Sequence, residues 1–256
     1  MTQYLLFTLA APIASFGTVA VGERRPTWDR PSKSQIIGLV AGCLGIERDE
    51  DAKQQALVAS LGFAVRIDDP GQLATDYHTT QTAKSPRIKD WVKANGPIRT
   101  RTDELVVDDL KTILSQREYR TNSCYTICLW LRPNASVSLD QIKTAIISPV
   151  FAPFAGRKAN ALMLPMRPDL VDASGIDVAF TEFDTRQPLG VSNLWDYLKF
   201  KPRGHAQIFA DADGAHGQMI GRLEERRDIP ESRAKWRFGL RTEVLLGKPS
   251  NSGETA

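Results

Sequence analysis

Cysteine and histidine are both scarce in this chain of 256 residues, which contains three of each. Three cysteines cannot all pair within the chain, and none has a histidine close to it in sequence, which disfavours a disulfide framework and a zinc module. The sequence also lacks a P-loop and the HExxH, CxxC and GxSxG motifs. We therefore predict no catalytic residues, no metal site and no cofactor, and we expect a reducing, cytoplasmic setting.

Long hydrophobic runs are absent as well. No stretch of the sequence approaches the roughly 18 apolar residues that a membrane-spanning helix needs. The Leu5-Leu6-Phe7 run resembles the apolar region of a signal peptide, but Pro12 follows it closely and the first basic residue is Arg24. We interpret residues 3–9 as a buried first strand, and we expect no membrane partner.

Neither sign of charge dominates the composition. The 33 basic and 30 acidic residues give a net charge of +3, with a pI near 8.8. This balance permits a polyanionic partner without requiring one. The 42% hydrophobic content is ample for a packed core, and the length suits one large domain or two modest ones.

Hydrophobic periodicity gives the first two-thirds of the chain an ordered series of elements. Apolar residues at helical spacing between residues 31 and 46 predict a helix, with Ser32 or Ser34 as its N-cap. Ser138 with Gln141 forms a capping box for a second helix. The predicted strands lie at residues 3–9, 62–68, 125–131 and 161–165. The order β-α-β-β-α-β predicts an α+β, ferredoxin-like fold, a class that RNA-recognition modules share.

These elements also predict the domain limits. We expect a ferredoxin-like domain over residues 1–166, a smaller and mainly β C-terminal region over 167–246, and a disordered tail at 247–256. Cys124 and Cys128 lie four residues apart on a predicted strand and therefore share one face of it. We interpret both as core residues rather than metal ligands.

Residues 70–116 form an insertion that a minimal fold of this class does not need. These 47 residues join strands that a short turn could connect. Segment 84–101 carries six basic residues, Arg99 and Arg101 among them, against Asp90 as the single acid. Composition alone leaves two interpretations open, a solvated surface loop and a nucleic-acid-binding arm.

Three short segments have the chemistry of contacts to phosphates and bases. The Gly156-Arg157-Lys158 tripeptide sets two cations beside a residue without a Cβ, so its backbone amides can approach a phosphate closely. The helix start at Ser32-Lys33-Ser34 offers amides, hydroxyls and the positive end of the helix dipole. Arg117 and Tyr119 combine a cation with a ring that can stack on a base.

Tyr77 and His78 form a further candidate pair. Such neighbours can stack on bases or transfer a proton, and an ordinary loop histidine is the alternative interpretation. The aromatic RNP1 signature of RNA-recognition motifs is absent, so we do not expect RNA to stack on an open sheet face.

Many short motifs follow one another in order along nearly the whole chain. They are Tyr4-Leu5 with Pro12 and Gly17, Arg25-Pro26-Thr27, Pro31-Ser32-Lys33-Ser34, Gly38-Leu39, Leu44-Gly45-Ile46, Arg48-Asp49, Phe63-Ala64-Val65-Arg66, Asp76-Tyr77-His78-Thr79, Arg117-Glu118-Tyr119, Phe151-Ala152-Pro153-Phe154-Ala155-Gly156-Arg157 and Arg227-Asp228-Ile229-Pro230. Because these motifs occur together and in this order, the chain resembles the CasD (Cas-five) family of RAMP subunits from type I-E CRISPR Cascade complexes.

The resemblance implies a fold and a role. It implies a ferredoxin-like (RRM-like) RAMP domain in which residues of about 70–116 form a long β-hairpin, the thumb. It also implies a non-catalytic subunit that caps the 5′ handle of the crRNA, contacts the backbone and large subunits of Cascade, and lies near target DNA. Together with the residues identified from composition, the predicted RNA-binding set is Lys33, Ser34, Tyr77, His78, Arg99, Arg101, Arg117, Tyr119, Gly156, Arg157 and Lys158.

The chain departs from the family pattern at two places. Lys158-Ala159-Asn160-Ala161 stands where relatives often have a second arginine and then Ser-Cys-Pro, and Gln35 stands where a glycine is common. Relatives in another CRISPR subtype cut precursor RNA with a tyrosine and a Lys-His pair. Because this sequence has no Lys-His dipeptide, we expect no cleavage. The alternative is a metal-independent endoribonuclease with Tyr77 and His78 as acid and base.

Overall fold

A computed structural model describes residues 1–20, 22–83, 85–105, 110–186, 206–215 and 217–247 of the chain. The tail predicted at 247–256 lies outside these residues except for its first position, and so does Lys84 of the basic segment. Among the described residues, no helix combines the length and the apolar character needed to span a bilayer.

The described residues form strands and helices in a mixed order along the chain. The strands are β1 (Thr2–Ala14), β2 (Arg24–Arg25), β3 (Leu61–Asp69), β4 (Gln72–Ala83), β5 (Leu110–Leu131), β6 (Asp169–Ala173), β7 (Gln207–Asp211), β8 (Ile220–Ser232) and β9 (Arg237–Leu246). The α-helices are α1 (Lys33–Cys43), α2 (Asp51–Ser60), α3 (Ser85–Asn95), α4 (Arg101–Leu105), α5 (Leu139–Ile147) and α6 (Ile176–Thr185).

The chain divides into two compact units. The main unit comprises Met1–Phe16, Trp28–Gln72 and Arg120–Ala256, and the insertion unit comprises Gly17–Thr27 and Leu73–Tyr119. The insertion unit therefore draws on two separate stretches of sequence. Its longer stretch falls largely within the insertion that the sequence predicts.

The main unit is built on a large sheet with the strand order β6-β1-β5-β3-β7-β9-β8. The main-unit pairings are antiparallel, and Leu6 of β1 and Ala64 of β3 both lie opposite Cys128 of β5. Because both faces of these central strands are buried, their sequences are almost continuously apolar. Alternate residues enter two core clusters, so that Leu5 packs in the cluster of α1 and α5 and Leu6 in that of α6.

Local sequence signals locate two helix starts correctly. Ser32 caps α1, and its hydroxyl accepts a hydrogen bond from the Gln35 amide at 3.3 Å. The Gln35 side chain in turn accepts from the Ser32 amide at 2.9 Å, which gives this departure from the family pattern a structural role. A second capping box, Ser138 with Gln141, opens α5, and this predicted box is confirmed.

Residues 161–165, predicted as a strand, do not form one. The Met163 amide donates to the Ala10 carbonyl at 2.9 Å, so the segment runs beside β1 without a regular ladder. Pro165 has no amide hydrogen with which to continue such a ladder. The prediction was wrong in position, since regular pairing with β1 begins only at β6.

The three cysteines are buried in the apolar core. Cys43, the last residue of α1, lies in the core cluster that this helix covers, while Cys124 and Cys128 lie on one face of β5. Burial raises the pKa of the Cys43 thiol to about 11. Burial also raises the pKa values of Cys124 and Cys128 above their ordinary range. The interpretation of Cys124 and Cys128 as core residues is confirmed.

A network of buried charges connects the start of α1 to strands β7, β8 and β9. The Lys33 ammonium donates to Asp211 at 2.6 Å, and the Arg241 guanidinium donates to the same carboxylate at 2.9 Å. Arg241 also donates two hydrogen bonds of 2.8 Å to Asp228 and one of 2.8 Å to Glu243. Arg241 thus bridges three carboxylates that are otherwise enclosed by protein.

Further arginines complete the network. Arg30 donates to Glu243 at 2.6 Å, Arg226 lies 3.3 Å from the same carboxylate, and Arg132 donates to Asp211 at 2.9 Å. Burial by itself would raise the pKa of Glu243, but the surrounding arginines lower it below its ordinary value. The Glu243 carboxylate is therefore held in its charged form by several cations at once.

Replacing Arg241 by methionine should destabilise the chain strongly. The substitution would leave the carboxylates of Asp211, Asp228 and Glu243 with one cation fewer in a buried setting, a loss of about 3–5 kcal/mol. Urea unfolding followed by circular dichroism measures the change in the free energy of unfolding. Arg222→Met is the matched control, because Arg222 pairs with Glu224 on the surface and should cost less than about 1 kcal/mol. Equal losses in both variants would contradict a special role for the buried network.

Candidate nucleic-acid interface

The loop of residues 155–160 in the main unit, here called the glycine loop, is closed by its own backbone. The Ala155 amide donates to the Asn160 carbonyl at 2.8 Å, and the Asn160 amide donates to the Arg157 carbonyl at 2.8 Å. The buried Asn160 side chain donates to the Ala155 carbonyl at 3.1 Å. The departure from the family pattern at Asn160 therefore supplies an internal brace for the loop.

The conformation and close packing of the glycine loop require a glycine at position 156. Its φ is +89°, and a Cβ built on it would lie 1.9 Å from the Ser15 carbonyl oxygen. The Ser15 amide also donates to the Ala155 carbonyl at 3.1 Å, which fixes the loop against the chain just beyond β1. Gly156 and Lys158 are exposed and Arg157 is half-buried, so the loop presents backbone and cationic charge to solvent together.

The start of α1 differs from the predicted phosphate site. The Lys33 amide donates to Asp228 at 3.0 Å, and the completely buried Lys33 ammonium donates to Asp211. Burial lowers the pKa of Lys33, against the opposing effect of Asp211. Ser34 is also buried, and its hydroxyl lies 2.9 Å from that of Ser32. The chain's own carboxylates thus occupy the position expected for a phosphate, and the side chains of Lys33 and Ser34 are inaccessible to an external ligand.

In the insertion unit, Arg117 lies on a strand that pairs with β2. Arg25 lies directly opposite Arg117 in this parallel pairing, so both side chains share one face. Glu118 points to the other face, where it accepts hydrogen bonds from Arg24 at 2.8 Å and from the Thr27 amide at 3.2 Å. Since Glu118 faces away, Arg25 and Arg117 place two cationic side chains on this face, and the Arg25 guanidinium donates to the Gly22 and Arg24 carbonyls.

Tyr119 follows on the same face as Arg117 because side chains alternate along a strand. This face, here called the arginine face, therefore consists of Arg25, Arg117 and Tyr119. Sequence reasoning did not identify Arg25 as a candidate contact. Its position depends on a pairing between distant stretches, for which two residues of β2 carry no local signal.

Tyr77 and His78 lie on opposite faces of β4. The Tyr77 hydroxyl accepts from the Gln116 side chain at 3.1 Å, whereas His78 Nε2 lies 2.6 Å from the Asp76 carboxylate. Adjacent residues of a strand point in opposite directions. The two side chains are therefore not arranged to act together on one scissile bond.

The basic segment forms α3 and the start of α4. Helix α3 keeps Trp91 half-buried while Lys89 and Lys93 are exposed, an amphipathic arrangement. Arg99 and Arg101 are exposed near the first turn of α4, and the Arg101 side chain donates to the Gln81 carbonyl. The Asp103 carboxylate accepts from the Arg99 amide at 3.1 Å and from the Thr100 amide at 3.0 Å. These hydrogen bonds lower the pKa of Asp103.

Comparison with known proteins places this geometry in a family. The family described as CRISPR-associated protein (Cas_Cas5) matches residues 4–243. A curated relative, the CRISPR system Cascade subunit CasD of Escherichia coli (strain K12), is 30% identical over 214 residues, which are 81% of this chain and 90% of the relative.

Two solved structures share the fold. A chain of a CRISPR RNA-guided surveillance complex aligns with a TM-score of 0.62 at 22% identity, over 97% of this chain and 95% of that chain. A structure described as a crystal structure of Cas protein aligns with a TM-score of 0.53 at 23% identity, over 95% of both chains. The resemblance first seen in short motifs is thereby confirmed, and the chain belongs to the Cas5 family of CRISPR-associated proteins.

Proposed function

We propose that this chain is a non-catalytic, RNA-binding subunit of a type I-E CRISPR Cascade complex. In this role it holds the 5′ handle of the crRNA and bridges the backbone and large subunits during crRNA-guided DNA targeting. The glycine loop carries the proposal, because its exposed backbone and flanking cations form a site for phosphates. The curated relative is named as a Cascade subunit, which supports the same role.

The proposed frame is a ferredoxin-like RAMP domain with a thumb. Strands β1, β3, β5 and β6 follow the order 4-1-3-2 across the sheet, with α1 and α2 before β3 and α5 before β6. This topology supports the ferredoxin-like assignment. The insertion unit, in which β4 pairs with β5, supports the thumb. The domain limits at 166/167 and 246/247 stay a prediction.

The proposed handle contacts fall into two sets, one in each unit. In the main unit, the amides of Ala155, Gly156 and Asn160 donate to carbonyls of the chain itself, so the proposed donors to phosphate oxygens are the other amides of the glycine loop, with Arg157 and Lys158 neutralising the phosphate charge. In the insertion unit, the arginine face offers guanidinium groups for phosphates and the Tyr119 ring for a base. Exposed Arg99 and Arg101 add positive charge there. Lys33 and Ser34 are not among the proposed contacts, because they are enclosed.

The proposed bridging role is supported by apolar side chains that the main unit leaves exposed. Ile147, Val150 and Phe151 lie close together in sequence between α5 and the glycine loop, with exposures of 66%, 65% and 48%. Exposed apolar groups that follow one another in this way are typical of surfaces that bind another protein. Subunit contacts in an assembly would cover them.

Endoribonuclease activity is the alternative function, and the geometry of β4 disfavours it. A concerted acid and base must both reach the same phosphodiester. Tyr77 and His78 instead project from opposite faces of β4, with Gln116 and Asp76 as their respective neighbours. The proposal is therefore that the chain holds RNA without cutting it.

Removing either proposed cationic contact should weaken RNA capture. We expect Arg157→Ala and Arg117→Ala each to lower the affinity for handle-bearing RNA by about tenfold, because a charge-assisted hydrogen bond is lost. Each loss should also flatten the dependence of log affinity on log salt by about 0.7. Electrophoretic mobility shifts over a salt series measure both quantities. Lys53→Ala is the control, since Lys53 pairs with Glu50 on the surface, and parent-like binding by both arginine variants would contradict the assignments.

Gly156→Ala should disrupt the glycine loop more than the positive φ of residue 156 alone would cause. The added Cβ would overlap the Ser15 carbonyl, and backbone atoms cannot move aside cheaply. Gly96→Ala is the matched control, because Gly96 has a similar φ of +85° and open space around its Cβ position. We expect a larger fall in the free energy of unfolding and weaker RNA capture for Gly156→Ala. Equal effects of both substitutions on stability would show that the contact with Ser15 is unimportant.

Incubation of the purified chain with CRISPR repeat RNA in EDTA tests for metal-independent cleavage. We expect intact RNA from the parent and from His78→Ala alike, because Tyr77 and His78 cannot act on one bond together. Denaturing gel electrophoresis of end-labelled RNA provides the measurement. Site-specific cleavage by the parent that is lost in His78→Ala would establish the enzyme instead.

A further inference from the structure

The turn between β8 and β9 carries a large aromatic residue in an unusual conformation. Residues 233–236 connect the two strands, and together with Arg237 and Phe238 of β9 they are here called the hairpin tip. The Trp236 amide donates to the Arg233 carbonyl at 3.3 Å. Trp236 has a φ of +55°, and 61% of its surface is exposed. A bulky side chain in the left-handed region is strained, whereas glycine or asparagine would be tolerated there. The backbone conformation therefore gives no reason for a tryptophan at this position.

The Trp236 ring is nevertheless held in place by its neighbours. Phe238 packs against it edge to face, with ring centroids 5.5 Å apart and planes at 87°. The Arg48 guanidinium lies 5.0 Å from the ring centroid, over the ring, in a cation–π contact. The ring is thus pre-oriented while most of its surface stays open to solvent. Strained yet well-supported residues of this kind are concentrated at functional sites.

Positive charge surrounds the ring. Lys235 and Arg237 flank Trp236 in sequence and are exposed, and Arg48 adds a third cation. Asp51 accepts from the Ser232 hydroxyl and the Arg233 amide, whereas Glu47 and Asp49, the sequence neighbours of Arg48, are exposed. Glu231 lies 3.7 Å from Arg237 and is half-exposed, which is a weak surface pair.

We infer that the hairpin tip is a second nucleic-acid contact, at which an unpaired base stacks on Trp236 and adjacent phosphates meet Arg48, Lys235 and Arg237. Stacking on an exposed indole tolerates any base, because every base has a π-face. The expected ligand is therefore a single strand without sequence preference, offered by unpaired DNA and RNA alike. This contact uses none of the residues of the glycine loop or of the arginine face, and it does not depend on the proposal for the crRNA handle.

The test measures binding of the full-length chain to short fluorescent oligothymidylate and oligouridylate by anisotropy. Trp236→Gly should lower the affinity for both strands by on the order of tenfold, since one stacking platform is lost. Trp236→Phe should retain most of the affinity because it keeps an aromatic face. Leu240→Ala is the control, because Leu240 is a similarly exposed side chain on the same hairpin, 58% accessible, without a stacking role.

Two further measurements distinguish the loss of a stacking platform from misfolding and from a loss of the proposed handle contacts. Trp236→Gly should unfold at a temperature close to that of the parent, because glycine relieves the strained backbone. The same loss of affinity should appear when Trp236→Gly is added to the Arg117→Ala/Arg157→Ala chain, because the hairpin tip binds independently of those two arginines.

Three outcomes would overturn the inference. They are parent-like oligonucleotide binding by Trp236→Gly, a parent chain that binds neither strand in low salt, and a Trp236→Gly chain that fails to assemble with Cascade subunits while binding oligonucleotides normally. The last outcome would assign the hairpin tip to a protein partner.

Discussion

The ion pair between the Lys33 ammonium and the Asp211 carboxylate is enclosed by protein, with side-chain exposures of 0% and 2%. An unpaired charge at this depth would be costly, so the start of α1 and the end of β7 must stay together for either group to be tolerated. Arg241 extends the same requirement to Asp228 and Glu243. These ion pairs connect strands β7, β8 and β9 to α1 near the beginning of the chain, so they hold the wide sheet together as one rigid element.

This constraint also determines where an external anion can bind. Helix starts attract phosphates through free amides and the helix dipole. At α1, Asp228 already accepts from the Lys33 amide, so the attraction is satisfied within the molecule. The glycine loop has the opposite property, because its closing hydrogen bonds leave Gly156 and Lys158 at the surface. The main unit thus has one helix start whose anion position is filled internally, and the glycine loop, where we propose that phosphates bind, lies at its surface.

The sequence predicted those features that depend on neighbouring residues. The capping box of Ser138 with Gln141 was correctly located, and Ser32, one of the two N-caps left open for the first helix, caps α1 with Gln35 three positions away. The burial of Lys33 was not predictable, because its partners Asp211 and Asp228 lie 178 and 195 residues away from it in sequence. A basic residue beside a helix N-cap has the same local appearance whether it is buried or free.

The same limit explains the remaining differences. Arg25 joins the arginine face only through a pairing with β5 that residues 24 and 25 cannot signal by themselves. The strand predicted at 161–165 had a suitable composition. Its segment makes only isolated hydrogen bonds to β1, and Pro165 cannot donate one, so regular pairing with β1 begins at β6. The family resemblance, in contrast, was recognisable because it depended on the order of many short motifs rather than on any contact between them.

The burial of Cys43, Cys124 and Cys128 has a practical consequence for work on this protein. A thiol reacts as its thiolate, and raised pKa values with no access to solvent suppress that form at neutral pH. Maleimide dyes and cross-linkers would therefore leave all three native thiols unmodified while the chain is folded. A single cysteine introduced at a surface position would become a unique attachment point, and distances within an assembled particle could be read from it without first removing the native thiols.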